Sequence, residues 1–161
     1  MRRVAAAVTA ATTLMVTGCT LRTNPRATTG VEGAMRAFEA WTRALADGKG
    51  ERACGMMIDT AARDFTALLD AGSCPAAVTA LHGKLTADQH EALATARIDR
   101  SKVDFDSDDA ARFWHSDVRT GKGPFVLLPG RDGNVTVLCW CDGTWKVQHP
   151  AGHRQRPAAG P

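Results

Sequence analysis

The sequence contains no tyrosine, and its nine other aromatic residues, five phenylalanines and four tryptophans, belong to a chain of 161 residues. No side chain of this protein can therefore act as a phenol donor. A Gly-rich phosphate-binding loop and a nucleophile elbow for a catalytic serine are also missing from the sequence. These absences exclude the enzyme classes that depend on such motifs, and we expect a noncatalytic protein without a cofactor.

A strongly basic domain is missing too. The formal net charge is +3, but six arginines lie in the terminal segments 1–30 and 149–161. Residues 31–148 hold 14 basic and 17 acidic residues, which gives a formal charge of −3. A slightly acidic domain has no electrostatic footprint for nucleic acid, so we exclude that class of partner.

The N-terminal apolar segment is too short to form a membrane-spanning helix. Val4–Val16 carries no charge and follows Arg2 and Arg3, whereas a span needs about 20 apolar residues. A basic start followed by a short apolar run is typical of an export signal. We therefore expect the chain to leave the cytoplasm.

The end of this segment, Val16-Thr17-Gly18-Cys19, resembles the bacterial lipobox. The resemblance implies cleavage before Cys19 and attachment of a diacylglycerol to its thiol, and two acyl chains anchor a protein stably. We expect residues 1–18 to be a lipoprotein signal peptide and residues 19–30 a flexible tether. The alternative is an ordinary secretory signal with a chance cysteine.

The rest of the chain predicts one α+β domain over residues 31–148 and a disordered Pro- and Gly-rich tail over 149–161. Helical periodicity with two capping-box spacings, Thr29 with Glu32 and Thr86 with Gln89, marks the first half. The predicted helices cover residues 31–47, 51–58, 60–69, 76–81 and 86–96. The predicted strands cover residues 97–105, 110–118 and 125–128, followed by a hairpin at 134–148. Helices first and antiparallel strands after them favour helices packed on one face of a curved sheet.

The terminal hairpin is the clearest local signal. Asp142-Gly143 stands between two apolar segments and favours a two-residue turn. This register places Trp140 opposite Trp145 and Leu138 opposite Val147 on one face, with Cys139 on the other. We expect the tryptophan pair to pack against the first helix.

Three segments resemble small actinobacterial lipoproteins with the nuclear-transport-factor-2-like or SnoaL-like fold. They are AMRAFEAWTRALADGKGERACGMMIDTAARDF, SCPAAV and VTVLCWCDGTWKVQ, within Val31–Gln148. The resemblance implies a cone-like domain related to cystatin-like and SnoaL-like folds. Enzymes of that fold use carboxylate bases and often tyrosine donors, so cyclase or isomerase activity is a distant expectation here. The loop-rich segment 117–129 and Cys139-Trp140-Cys141 depart from the pattern.

Four cysteines remain after Cys19, and export places them where disulfides persist. Cys54 and Cys74 stand at predicted helix boundaries a short segment apart, which favours a bond between them over two unpaired buried thiols. Closing that loop contributes roughly 3 kcal/mol in the chain-entropy model.

Cys139 and Cys141 leave three readings open. Residues i and i+2 of a strand have Cα atoms roughly 6.5 Å apart, which is near the upper limit for a disulfide. The pair is therefore a strained disulfide, two small buried side chains, or a thiolate pair that exchanges disulfides or binds a soft metal.

Other polar residues give weaker signals. The five histidines show no metal-ligand spacing and are expected at the surface: His82, His90, His115, His149 and His153. Clustered aspartates at 104, 106, 108 and 109 predict a solvated turn, and an adventitious calcium site is a possible use of such a turn. His115 and Asp117 share a face of a predicted strand, which allows an acid–base pair as a minor alternative.

Together these observations predict a lipid-anchored protein on the extracytoplasmic face of a bacterial membrane. We expect it to bind an unknown small ligand or an envelope protein. The alternative is a thiol-based metal-binding or redox protein that uses Cys139 and Cys141.

Overall fold

The structure is a computed structural model that describes residues 29–107, 109–128 and 133–152. The expected signal peptide, Cys19 and nearly all of the expected tether lie outside the described residues, as do residues 153–161. Five helices come first: α1 (Gly30–Ala46), α2 (Gly50–Cys54), α3 (Asp59–Leu68), α4 (Cys74–Lys84) and α5 (Ala87–Ala94). None of the described helices has the length and apolarity to cross a membrane.

Four strands follow the helices and form an antiparallel sheet in the order β1-β2-β3-β4. Their bounds are β1 (Asp104–Ser107), β2 (Ala110–Trp114), β3 (Val135–Cys141) and β4 (Thr144–Gly152). Consecutive strands are neighbours throughout, so each pairing is a local meander rather than a crossover. The expected α+β class, with helices N-terminal to an antiparallel sheet, is confirmed.

Helix α1 provides the central layer of the core. Phe38, Trp41 and Leu45 recur at helical spacing and are completely buried, as the sequence periodicity predicts. The Phe38 ring stacks on Phe113 of β2 with ring centroids 4.6 Å apart. This contact joins the first helix to the middle of the sheet.

The terminal hairpin has the predicted register. Trp140 pairs with Trp145, and Leu138 pairs with Val147. The turn residues Asp142 and Gly143 both adopt positive φ, 53° and 71°, which matches the twist of the flanking strands. The two indole rings meet edge to face with centroids 5.7 Å apart, and Trp145 is completely buried in the same core cluster as Phe38.

The outer edge of β4 is covered by the segment between α2 and α3. Met57 forms a parallel bridge with Val147, supported by hydrogen bonds from Ile58 N to Val147 O and from Val147 N to Met56 O. This segment satisfies backbone groups that would otherwise offer a pairing edge to another chain.

Several predicted strand bounds were wrong. Residues 97–105 contain a single bridge at Arg97, a 3₁₀ turn at Arg100–Lys102 and only the start of β1. The predicted strand 110–118 ends at Trp114, where the 3₁₀ turn His115–Asp117 begins. Phe125, Leu127 and Leu128 are buried, but residues 125–128 form no strand. Burial in a core requires apolar residues whether or not they join a sheet, so an apolar run alone did not distinguish the two cases.

Strand β4 also passes the expected end of the domain at residue 148. Gly152 pairs with Val135, and Pro150 is buried. Gly and Pro suggested a disordered tail, but Pro is compatible with a strand where its missing N–H is not needed.

Candidate functional site

Cys54 and Cys74 form the expected disulfide. Their Cα atoms are 6.0 Å apart, and the bond joins the end of α2 to the start of α4. Gly50 makes this close approach possible, because a Cβ atom there would lie 2.8 Å from Pro75 Cα. Ser73 caps α4 by accepting a hydrogen bond from Ala76 N. Gly50 and Ser73 therefore both support a disulfide bond that joins two short helices.

Cys139 and Cys141 are also bonded to each other, which excludes the reading in which they are two unpaired buried side chains. Their Cα atoms lie 5.6 Å apart, closer than an extended strand predicts and inside the usual range for a disulfide. The pair lies on the face opposite the tryptophans, with Cys139 across from Lys146 and Cys141 across from Thr144. Oxidised sulfur atoms are not thiolates, so this form does not supply a thiolate metal site.

Two disulfides in one small domain are typical of proteins that fold in an oxidising, non-cytoplasmic compartment.

His115 is not a surface residue, which corrects the expectation. It is 8% exposed, with Nδ1 2.9 Å from Gly133 O and Nε2 3.0 Å from Thr136 Oγ1. Thr136 Oγ1 also lies 2.8 Å from Pro150 O, and its single hydroxyl proton is donated to one of two acceptors, His115 Nε2 or Pro150 O. Burial lowers the pKa of His115 to about 4, although the hydrogen bond to Gly133 opposes this change.

The surface expectation also fails for His82 and His90, which are half-buried and in contact with each other. His149 is exposed as expected, and His153 lies outside the described residues. The sequence offered no signal for the contact, because the two histidines belong to different helices.

The acid–base alternative for His115 and Asp117 rested on a shared strand face. Both residues lie in a 3₁₀ turn instead, so the premise was wrong. The aspartate turn is only partly described: Asp104 pairs with Arg112 at 3.3 Å and Asp109 is exposed, whereas the side chains of Asp106 and Asp108 lie outside the described residues.

Glu39 is a carboxylate that the sequence reading did not single out. Burial raises the pKa of the Glu39 carboxyl above its ordinary value, and Arg97, Arg43 and Arg36 oppose this shift. The Arg97 guanidinium lies 3.5 Å from the Glu39 carboxylate. Glu39 lines neither of the two clefts described below. We therefore assign it a structural role, as the partner of Arg97 in an ion pair.

The space between the helices and the sheet is filled by large side chains. Those that are completely or almost completely buried include Phe38, Trp41, Phe65, Phe113, Leu138 and Trp145. A cone that binds a ligand would leave this concave face open. The arrangement therefore favours binding on the outside of the domain.

Two surface clefts flank helix α3. The α3–β4 cleft has a volume of about 410 Å³ and is lined by Asp64, Ala67, Leu68 and residues 149–152. The α3–α4 cleft has a volume of about 450 Å³ and lies between α3 and residues 71–74. Ala67 borders both clefts, and volumes of this size are in the range of ligand sites.

Comparison of the chain with protein-family models, with curated proteins and with solved structures found no match.

Proposed function

We propose that this protein is an extracytoplasmic lipoprotein, anchored in the membrane through Cys19, whose domain binds an envelope protein without catalysing a reaction. The Val16–Cys19 motif and the short apolar segment before it support the anchor. The order of helices and strands and the Cys54–Cys74 bond support the resemblance to SnoaL-like lipoproteins.

The two clefts on either side of α3 carry the binding part of the proposal. They share Ala67, and Arg63 and Asp64 between them are exposed. The clefts therefore form one broad surface with a cation, an anion and small apolar side chains. A broad surface of mixed character suits a protein partner, whose interfaces combine apolar and polar contacts. A small ligand in one cleft is the competing outcome.

Cross-linking from within the clefts tests this surface. A photoreactive amino acid at position 67 should give one discrete adduct in intact cells, with a mass that fits a protein partner. The same residue at the exposed position 87 on α5 is the matched control, because it also replaces an alanine. Equal adducts at both positions, or none at position 67, would contradict the proposal. A small added mass at position 67 alone would identify a ligand instead.

Substitution of the anchor residue tests localisation. Cys19→Ala should leave an unprocessed precursor or release the protein from the membrane, and fatty-acid labelling should mark only the wild-type chain. Labelling of the mutant at the wild-type level would show that the lipid is not on Cys19.

The redox alternative is supported by the very short loop that the Cys139–Cys141 bond closes. Lys146 lies across from Cys139, but its ammonium group is paired with Asp142 Oδ2 at 3.1 Å. The bond closes a loop with one intervening residue, so its contribution to stability is only roughly 1.5 kcal/mol in the chain-entropy model, about half that of Cys54–Cys74. The fold accordingly favours the oxidised form of this pair less strongly.

Alkylation in graded redox buffers tests the alternative. A dithiol supplies two electrons and two protons and leaves as a disulfide, while Cys139 and Cys141 become thiols. We expect this pair to be reduced under conditions in which Cys54–Cys74 stays oxidised. Simultaneous reduction of both pairs would reject a redox role.

A further inference from the structure

The two sulfur atoms of the Cys139–Cys141 bond have different surroundings, although both lie on the same face of β3. The pairing of β3 with β2 ends at Cys139, which lies across from Ala110. The pairing of β3 with β4 continues to Cys141, which lies across from Thr144. Cys139 therefore has a paired strand on both sides, whereas Cys141 has one on a single side.

The exposure of the two cysteines follows this difference. Cys139 is 9% exposed, and Cys141 is half-buried. The next two residues, Asp142 and Gly143, are exposed, so solvent reaches Cys141 from the turn. Val137, which precedes the pair on the same face of the strand, is 4% exposed. The bond thus has an open end at Cys141 and a covered end at Cys139.

The direction of a thiolate attack makes this difference decisive. An attacking thiolate approaches one sulfur from the side that is remote from the leaving sulfur, so access to that side controls the rate. For Cys141, the remote side faces the exposed Asp142-Gly143 turn. For Cys139, it faces Val137, because residues two apart in a strand share a face. The side chain of Val137 therefore lies on the approach to Cys139, while the approach to Cys141 is open.

We propose that Cys141 is the sulfur that exchanges with a cysteine thiol of a partner protein, and that Cys139 is the leaving and resolving cysteine. This role presupposes the redox alternative and does not involve the α3 clefts. The exposed turn beside Cys141 leaves room for the surface of a partner protein. The partner must carry two cysteines, because a complete exchange consumes two thiols.

The exchange is balanced in two steps. In the first, a partner thiolate forms a bond to Cys141 Sγ while the Cys139–Cys141 bond breaks. The electron pair of the broken bond goes to Cys139 Sγ, which takes up a proton. In the second, the other partner thiolate attacks the partner sulfur that is bonded to Cys141, and Cys141 leaves as a thiolate and is protonated. The partner has then lost two electrons and two protons and leaves as a disulfide.

Cys141 has the same role in the reverse direction, because both directions pass through the same mixed disulfide. The Cys141 thiolate then attacks a partner disulfide, and the Cys139 thiolate attacks Cys141 Sγ and releases the partner as a dithiol. The two cysteines are close enough for this second step, with Cα atoms 5.6 Å apart.

Trapping the mixed disulfide in the wild-type protein tests this role directly. The oxidised mature protein is incubated briefly with a short peptide that carries one cysteine, and N-ethylmaleimide then blocks all free thiols. Tandem mass spectrometry should place the peptide on Cys141 and the maleimide on Cys139. We expect the opposite arrangement to be at least about tenfold less abundant, because the approach to Cys139 is covered.

Single-cysteine variants supply an independent measurement. Cys139→Ser leaves a thiol at Cys141, and Cys141→Ser leaves a thiol at Cys139. We expect the same peptide, activated as a thiopyridyl disulfide, to react at least about tenfold faster with Cys139→Ser than with Cys141→Ser. The double variant Cys139→Ser/Cys141→Ser is the matched control and should not react, since Cys54 and Cys74 stay bonded.

The possible failures are distinguishable. A peptide located on Cys139, or spread equally over both cysteines, would overturn the role of Cys141 and leave the redox alternative intact, as would faster reaction of Cys141→Ser. A Cys139–Cys141 bond that stays oxidised under conditions that reduce Cys54–Cys74 would reject the redox alternative, and the role of Cys141 with it.

Discussion

Burial of His115 makes the free energy of unfolding depend on pH. Its pKa is about 4 in the folded protein and about 6.5 in an unfolded chain. Between these values the unfolded state binds more protons, so stability rises with pH in this range. The contribution is complete above about pH 7 and is lost as the pH falls from 6.5 toward 4.

We predict that His115 alone lowers the free energy of unfolding by about 2 kcal/mol between pH 7 and pH 5. Urea denaturation at both values measures the change, and His115→Gln provides the control. The variant should lose most of this pH dependence whatever its absolute stability. An unchanged slope in His115→Gln would show that His115 is not the buried neutral group.

Single residues also decide how the helices begin. Thr86 and Gln89 form the full capping box that their spacing predicts. Thr29 has the same spacing to Glu32 but makes no side-chain cap, and Gly30 between them has a φ of 72°. Glu32 instead lies 3.5 Å from Arg100. The spacing is therefore a necessary condition for the motif, while the entry angle of the chain decides whether it forms.

At the scale of elements, the Cys54–Cys74 bond holds α2 against α4. We predict that Cys54→Ser and Cys74→Ser lower the free energy of unfolding by similar amounts, roughly 3 kcal/mol each. The double variant should be little worse than either single one, because all three lack the same bond. Denaturant unfolding provides the measurement, and additive losses would show that the two cysteines are not partners.

The two faces of the terminal hairpin carry the tryptophan pair on one side and the Cys139–Cys141 bond on the other. Trp145→Ala should lower the free energy of unfolding by about 3–5 kcal/mol, because the side chain is completely buried. The double variant Cys139→Ser/Cys141→Ser should lose only roughly 1.5 kcal/mol. Thermal denaturation followed by circular dichroism compares the two. A larger loss in the serine variant would assign the structural role to the cysteine face.

At the scale of the whole molecule, the domain extends to Gly152. A chain that ends at Gln148 should be less stable than one that ends at Gly152, by about 2–3 kcal/mol. The shorter chain loses buried Pro150, the contact between Thr136 Oγ1 and Pro150 O, and the hydrogen bond from Asn134 N to Gly152 O. Chemical denaturation of both truncated chains checks this, and equal stability would place the boundary at Gln148.

Much of the fold could be predicted because its determinants are local. The apolar spacing of α1, the capping residues of α5 and the Asp142-Gly143 turn each act within a few residues of the chain. Alternating side chains around that turn then determined the register of β3 and β4, since a shift by one residue would move every side chain to the other face. The expected export signal and lipobox are linear motifs of the same kind.

Tertiary structure decided the features that join distant parts of the chain. His115 is buried because Gly133 and Thr136 supply its hydrogen-bond partners, and neither is near it in sequence. His82 and His90 meet only because the last turn of α4 and the first turn of α5 both lie against the carbonyl of Ala46. Periodicity and turn residues report on neighbours along the chain, whereas these contacts depend on how the helices and the sheet pack.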